Sequence, residues 1–275
     1  LIGNQLEESG WKQGSVLREN DISCIVDAKN IPCDNNSIFL VASQSCDIAN
    51  NNAELEPYIE VSLARPIDRT NGNYAHNKNP RILHTQLMYR TNDSSVFSDI
   101  YIELKAFEKF LIKKEVFKNL KPDLDRILSD RQLKSYVAWL AARYSRPALP
   151  TEFNNRIDTS IDSKKLKDKV KKIGTQLLGI YVEITPDAEI KENESYNVNL
   201  LGLLPAGFSG DLAKIEDTLD AYQNALKKAG MEVKSALLTE DEVSLATINR
   251  FKRFYYDDLS FKEKTPLPPE VDNIF

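Results

Sequence analysis

Between residues 12 and 117 the chain is a succession of short runs rich in Ile, Val, Leu, Tyr and Phe, each ended by polar turn formers. Ile22–Ala28, Ile38–Ile48, Pro57–Ile67, Arg81–Arg90 and Ser98–Phe107 have the composition of strands, and stretches such as Asp34-Asn35-Asn36 and Thr70-Asn71-Gly72-Asn73 separate them. Such a run of segments has few folded solutions, because every strand must find partners for its backbone N–H and C=O groups. A small barrel or a sandwich satisfies them. Ile100, Ile102, Leu104 and Ala106 alternate with polar residues, as one strand of a one-sided sheet should.

The pattern then changes to a helical one. In Arg131–Arg146 the apolar positions Leu133, Tyr136, Val137, Leu140 and Tyr144 share a face, and Pro147 ends the helix. Pro147–Ser163 has no apolar period and reads as a linker. Ser163–Lys172 reads as a short basic helix. Leu178–Ile184 and Tyr196–Leu204 are near-continuous apolar strands, the pattern of a sheet covered on both faces. Asp211–Ala229 is an amphipathic helix with Gly230 at its C-terminal cap, and Met231–Leu238 is a further strand. Thr239-Glu240-Asp241-Glu242 matches a capping box ahead of a last helix carrying Val243, Ile248 and Phe251. The expected fold is therefore α+β: a β-rich barrel or sandwich at 10–125, a helical connector and linker at 126–162, an α/β domain at 163–262 and an extended tail at 263–275.

No apolar run approaches the ~20 residues of a membrane span, and no basic start precedes an apolar stretch, so a cytoplasmic protein without a membrane partner is expected. Three cysteines, Cys24, Cys33 and Cys46, are an odd number and fit buried thiols in a reducing compartment. Their spacing matches no common zinc pattern.

The net charge of −5 is unevenly spread. Residues 1–100 hold 8 Lys/Arg against 13 Asp/Glu, residues 101–172 hold 18 against 10, and residues 173–275 hold 10 against 18. The basic middle is densest at Lys164, Lys165, Lys167, Lys169, Lys171 and Lys172. These lysines are candidates for holding the phosphates of DNA or RNA, or form a solvated helix face.

Three constellations carry candidate chemistry. Asp99, Glu103 and Lys105 fall on one face of a strand. Two carboxylates there would hold Mg²⁺, and the ammonium would orient an attacking water, with Asp93 or Asp47 as a further acid. The alternative is a polar solvent face. Cys46 beside Asp47 is a thiol that would need a base such as His76 or His84 to become a nucleophile. Asn73–Arg81 is a loop bearing a histidine, an aromatic and two cations, the residue types that grip phosphate or a base, or else a hairpin tip. There is no Gly-rich phosphate loop, nucleophile elbow or zincin helix.

Glu103-Leu104-Lys105 resembles the second half of the motif of PD-(D/E)XK nucleases, which implies a metal-dependent cleavage site. Gln13-Gly14-Ser15-Val16-Leu17, Ser43–Ile48, Glu56-Pro57-Tyr58-Ile59-Glu60-Val61 and Ala64-Arg65-Pro66-Ile67 resemble an uncharacterised family of bacterial proteins carried on mobile elements or near anti-phage genes. Phe153-Asn154-Asn155-Arg156, Tyr196–Leu204 and Ser244–Phe254 extend that likeness along most of the chain. Gln13–Leu17 with Phe39–Ser43 is also similar to PemK-type RNA-cleaving toxins. Asn35-Asn36-Ser37 stands where those toxins carry Arg-Pro, so this likeness implies an SH3-like barrel and not their active site. The resulting expectation is a nucleic-acid-engaging protein of a bacterial defence or mobile-element system. It would act either as a metal-dependent nuclease or as a non-enzymatic module of a larger assembly with a protein partner.

Overall fold

The computed structural model describes residues 1–29, 31–90, 97–145, 148–160, 166, 173 and 176–254. Two compact units divide the chain, Leu1–Tyr144 and Ser145–Phe275.

The first unit is built on strands β1 (Val16–Leu17), β2 (Ile38–Val41), β3 (Tyr58–Pro66), β4 (Ile82–Arg90), β5 (Phe97–Lys113), β6 (Pro122–Asp123) and β7 (Arg126–Ile127). They form one antiparallel sheet in the order β6-β1-β2-β3-β5-β4-β7. The terminal strands β6 and β7 follow one another directly in sequence, so the sheet curls into a nearly closed barrel. Arg126 stitches the gap. Its guanidinium donates to Asp123 Oδ2 (2.8 Å), Glu19 Oε1 (2.9 Å) and the Leu17 carbonyl (3.1 Å).

Alternation decides what lies inside. Val16, Ile38, Leu40, Ala64, Leu83, Leu87, Ile102 and Leu104 point inward. The small residues Ala42, Ser62, Ala64 and Ala106 leave room for two aromatic rings from helix α5 (Asp130–Ser145). Those rings, Tyr136 and Trp139, are fully buried, 6.3 Å apart and near parallel. On the opposite face Leu17, Phe39, Val41, Ile59, Val61 and Leu63 are covered by α1 (Ile2–Glu8), α2 (Ile22–Lys29) and α4 (Lys114–Phe117), with Trp11 edge-on to Phe117. The buried Lys114 ammonium donates to the Asp47 and Asn50 carbonyls (2.6 and 2.9 Å), capping the short helix α3 (Ser45–Ala49). Loss of water around it lowers its pKa.

A large irregularity splits β5. Ala64 pairs with Leu104 but Ser62 pairs with Lys109, so Lys105–Glu108 bulges out. Side chains of odd number point outward before the bulge and toward the inner face after it.

The Tyr136 hydroxyl donates to Ser62 Oγ at 2.9 Å, and burial pushes its pKa well above the ordinary 10.0. The unfolded chain therefore loses this proton first as pH rises past about 10, and folding stability falls by about 1.4 kcal/mol per pH unit beyond that point. Alkaline unfolding curves should show a shallower decline for Tyr136→Phe than for the wild type. The variant itself costs about 1–2 kcal/mol at neutral pH, because Ser62 Oγ is left buried.

The second unit holds four strands, β8 (Gly179–Thr185), β9 (Asn197–Leu204), β10 (Glu232–Thr239) and β11 (Lys252–Arg253), in the order β10-β9-β8-β11. β10 runs parallel to β9, and the helix α7 (Leu212–Lys228) connects them; β8 is antiparallel to both its neighbours. One face packs Ile180, Val182, Val198 and Leu200 against Ile215, Leu219, Tyr222 and Leu226 of α7. The other carries Tyr181, Leu201 and Leu203 under Val243, Ile248 and Phe251. Both faces are covered, as the continuous apolar strands imply.

Several local expectations are corrected. Ile22–Ala28 is helical because Ile22, Ile25 and Val26 bury one side of a turn toward the core, a helical and not a two-residue period. Ile38–Ile48 is a four-residue strand followed by α3. The expected linker contains α6 (Thr151–Ser160), whose Phe153 and Ile157 enter the second core one turn apart. The expected connector helix α5 belongs to the barrel core. The capping-box residues do bond, Thr239 N–H to Glu242 Oε2 at 2.9 Å, but they close a turn. The last helix, α8 (Leu245–Ile248), is capped by Ser244 instead. The expected tail at 263–275 lies outside the described residues.

Candidate functional site

The expected face of β5 is real and lies on the outside of the barrel. Register places Arg65 of β3, Glu103 of β5 and His84 of β4 in one row, directly opposite each other across neighbouring strands. Glu103 Oε2 is 3.1 Å from His84 Nε2 and Glu103 Oε1 is 3.6 Å from Lys105 Nζ. Arg65 is held by Glu108 of the bulge through two bonds from one nitrogen, 2.8 and 2.7 Å. That hydrogen bond raises the already high pKa of Arg65. The cluster thus sets two cations against two carboxylates around an imidazole.

Asp99 shares the face by alternation but stands four residues along, about 13 Å at the rise of an extended strand. It and Glu103 cannot grip one Mg²⁺ together in this arrangement. Asp93 lies outside the described residues, and Asp47 sits on α3 beside Cys46. Among the described residues, no group of three or more His, Cys, Asp and Glu side chains is arranged to hold a metal ion. The donor set does not fit a divalent cation.

His84 was not expected here. Its Nδ1 accepts the Asn71 backbone N–H at 3.0 Å, and this fixes the proton on Nε2, facing Glu103. The Tyr74 ring lies 4.9 Å from the imidazole. Only the pairing of β4 with β5 brings His84 to Glu103, so no local pattern could have found it. The loop carrying Asn73–Arg81 is not an open tip: Ala75, His76, Asn77 and Lys78 are buried, with His76 and Asn77 both at positive φ (48° and 58°).

Cys46 is exposed at the start of α3, and its hydrogen-bond partners are Gln44 Oε1 and Asp47 Oδ1, both at 3.5 Å. Neither is a histidine. Cys24 is exposed and Cys33 half-buried, contrary to the expectation of buried thiols. Cys24 sits on the outward side of α2. The six lysines Lys164, Lys165, Lys167, Lys169, Lys171 and Lys172 lie outside the described residues.

A second surface emerges past the bulge, where the inner face of the sheet runs beyond the last turn of α5. Lys109 and Lys113 alternate with Leu111, and Tyr58 of β3 lies opposite Lys113. Leu111 is 51% exposed and Tyr144 79% exposed, with Lys109 Nζ 5.6 Å from the centre of the Tyr144 ring. Lys109 also meets Glu60 at 3.2 Å. The alternation of Phe107, Lys109, Leu111 and Lys113 is visible in the sequence. β5 runs six residues past Phe107, the expected end of the strand.

Among the described residues no helix is long and apolar enough to cross a membrane. Comparison with family models, with curated proteins and with solved structures gives no match.

Proposed function

We propose that this protein binds single-stranded nucleic acid along the face formed by Tyr58, Lys109, Leu111, Lys113 and Tyr144, as a binding module and not a nuclease. The observation that carries the reading is the solvent-exposed Tyr144 set beside Lys109, with Lys113 on the same face of β5. Stacking platforms interleaved with cations suit a strand whose bases are free and whose phosphates need neutralising. The basic excess of residues 101–172 supports the same reading. The sequence resemblance supports a bacterial defence or mobile-element setting.

Fluorescence anisotropy with a labelled single-stranded oligonucleotide tests this. Affinity should fall with salt, and Lys113→Ala should reduce the slope of log K against log salt by about 0.7. Tyr144→Ala should weaken binding by about 1–3 kcal/mol with the slope retained. Binding that ignores salt, or that neither substitution changes, removes the proposal. An oligonucleotide cut in Mg²⁺ by wild type but not by folded Glu103→Ala replaces it with the metal-dependent nuclease reading.

A further inference from the structure

We propose that His84 is a protonation-sensitive latch that holds the loop 71–78 against the outer face of the barrel. The inference is independent of nucleic-acid binding. Asn71 is the hub of the loop: its carbonyl accepts the Tyr74 N–H (2.8 Å) and its side chain accepts the Asn73 N–H (3.0 Å). This hub is clipped to β4 at two points, the Asn71 N–H on His84 Nδ1 (3.0 Å) and the His84 N–H on the Tyr74 carbonyl (2.8 Å). Beyond it the chain turns back through Ala75–Lys78, with Lys78 N–H on the Ala75 carbonyl at 3.0 Å and two residues in the left-handed region. That backbone is costly for His76 and Asn77 and needs its surroundings to impose it.

The first clip works only with an unprotonated Nδ1. When the imidazole gains a proton, Nδ1–H and Asn71 N–H become two donors facing each other 3.0 Å apart, and one must leave. The ring is the member with a better alternative. Its Nε2–H already points at the Glu103 carboxylate, and a full positive charge strengthens that bond. The loop amide is therefore the group released. The other titratable or charged side chains around His84 are Arg65 on β3, Tyr101, Lys105 and Glu108 on β5, and Tyr74, His76 and Lys78 in the loop itself. Lys105, close to Glu103, competes for the same carboxylate and sets how far the ring is drawn.

The chain has only two histidines, so nitrogen-15 spectra of the imidazoles can be assigned with His76→Gln alone. In the full chain at neutral pH, His84 should carry its proton on Nε2. When acidification adds the second proton to the ring, the Asn71 amide should lose about tenfold in exchange protection, the equivalent of one hydrogen bond. The Leu104 amide in the barrel should keep its own protection. In His84→Gln the Asn71 amide should show the same protection throughout. A proton on Nδ1 at neutral pH, unchanged Asn71 protection while the His84 ring titrates, or joint loss at Asn71 and Leu104 would each overturn the latch.

Discussion

Arg126→Ala should lower the stability of the barrel by about 3–5 kcal/mol, the range found when one partner of a buried charge network is deleted. The strands that meet there, β6 and β7, contribute two residues each, too few to close a sheet by their own ladder. The guanidinium supplies the missing bonds, and its side chain is only 6% exposed. Removing it takes the donor from Asp123 Oδ2 and from the Leu17 carbonyl, in a place water reaches poorly, while Asp123 Oδ1 keeps the Asp125 and Arg126 backbone N–H groups. Glu19 is exposed and contributes little. Arg126→Lys should recover only part of the loss, because one ammonium cannot span three acceptors set around a planar fork. Both tryptophans, Trp11 and Trp139, belong to the first unit, so urea unfolding followed by tryptophan fluorescence reads this unit alone. A loss below about 1 kcal/mol for Arg126→Ala would mean that the seam is held by packing and not by the arginine.

Trp139→Ala should cost about 3–5 kcal/mol, the usual toll of emptying a large aromatic site. The ring fills space that Ala42, Ala64 and Ala106 leave, and these small residues cannot expand to close a void. Trp139→Phe should be much milder, at about 1–2 kcal/mol. The reason is specific: the buried Trp139 Nε1 has no hydrogen-bond partner among the described residues, so phenylalanine gives up volume but no bond. Trp11 remains as the reporter in both variants. Equal losses for the two substitutions would show that the indole nitrogen is satisfied and that shape is not the governing factor.

The sequence foretold elements whose partners lie along one period and failed where partners come from far away. Pro57–Ile67 and Arg81–Arg90 became β3 and β4 almost residue for residue, since alternation is local information. Ile22–Ala28 misled because β-branched residues weigh toward strand, while burial of Ile25 beneath the sheet selects helix. α6 was missed because only two apolar residues, Phe153 and Ile157, declare its buried side. The two-residue spacing of Glu103 and Lys105 puts them on one side of a strand, and their side chains approach to 3.6 Å. His84 and Arg65 complete that group through registers of β4 and β3 that no window of sequence contains. The distance from Asp99 to Glu103 was legible in principle: a shared face does not mean a shared neighbourhood when four extended residues intervene.

The bulge at Lys105–Glu108 has a consequence for how this barrel can diversify. One strand serves two surfaces, with Glu103 on the first and Lys109 on the second, and the inserted residues insulate them from each other. Substitutions that remodel either surface leave the other's register untouched. A single deletion within the insertion would instead trade their occupants, sending Leu111 and Lys113 to the side now lined by apolar residues. β5 is thus open to exchanges of side chain on one surface at a time but closed to changes of length.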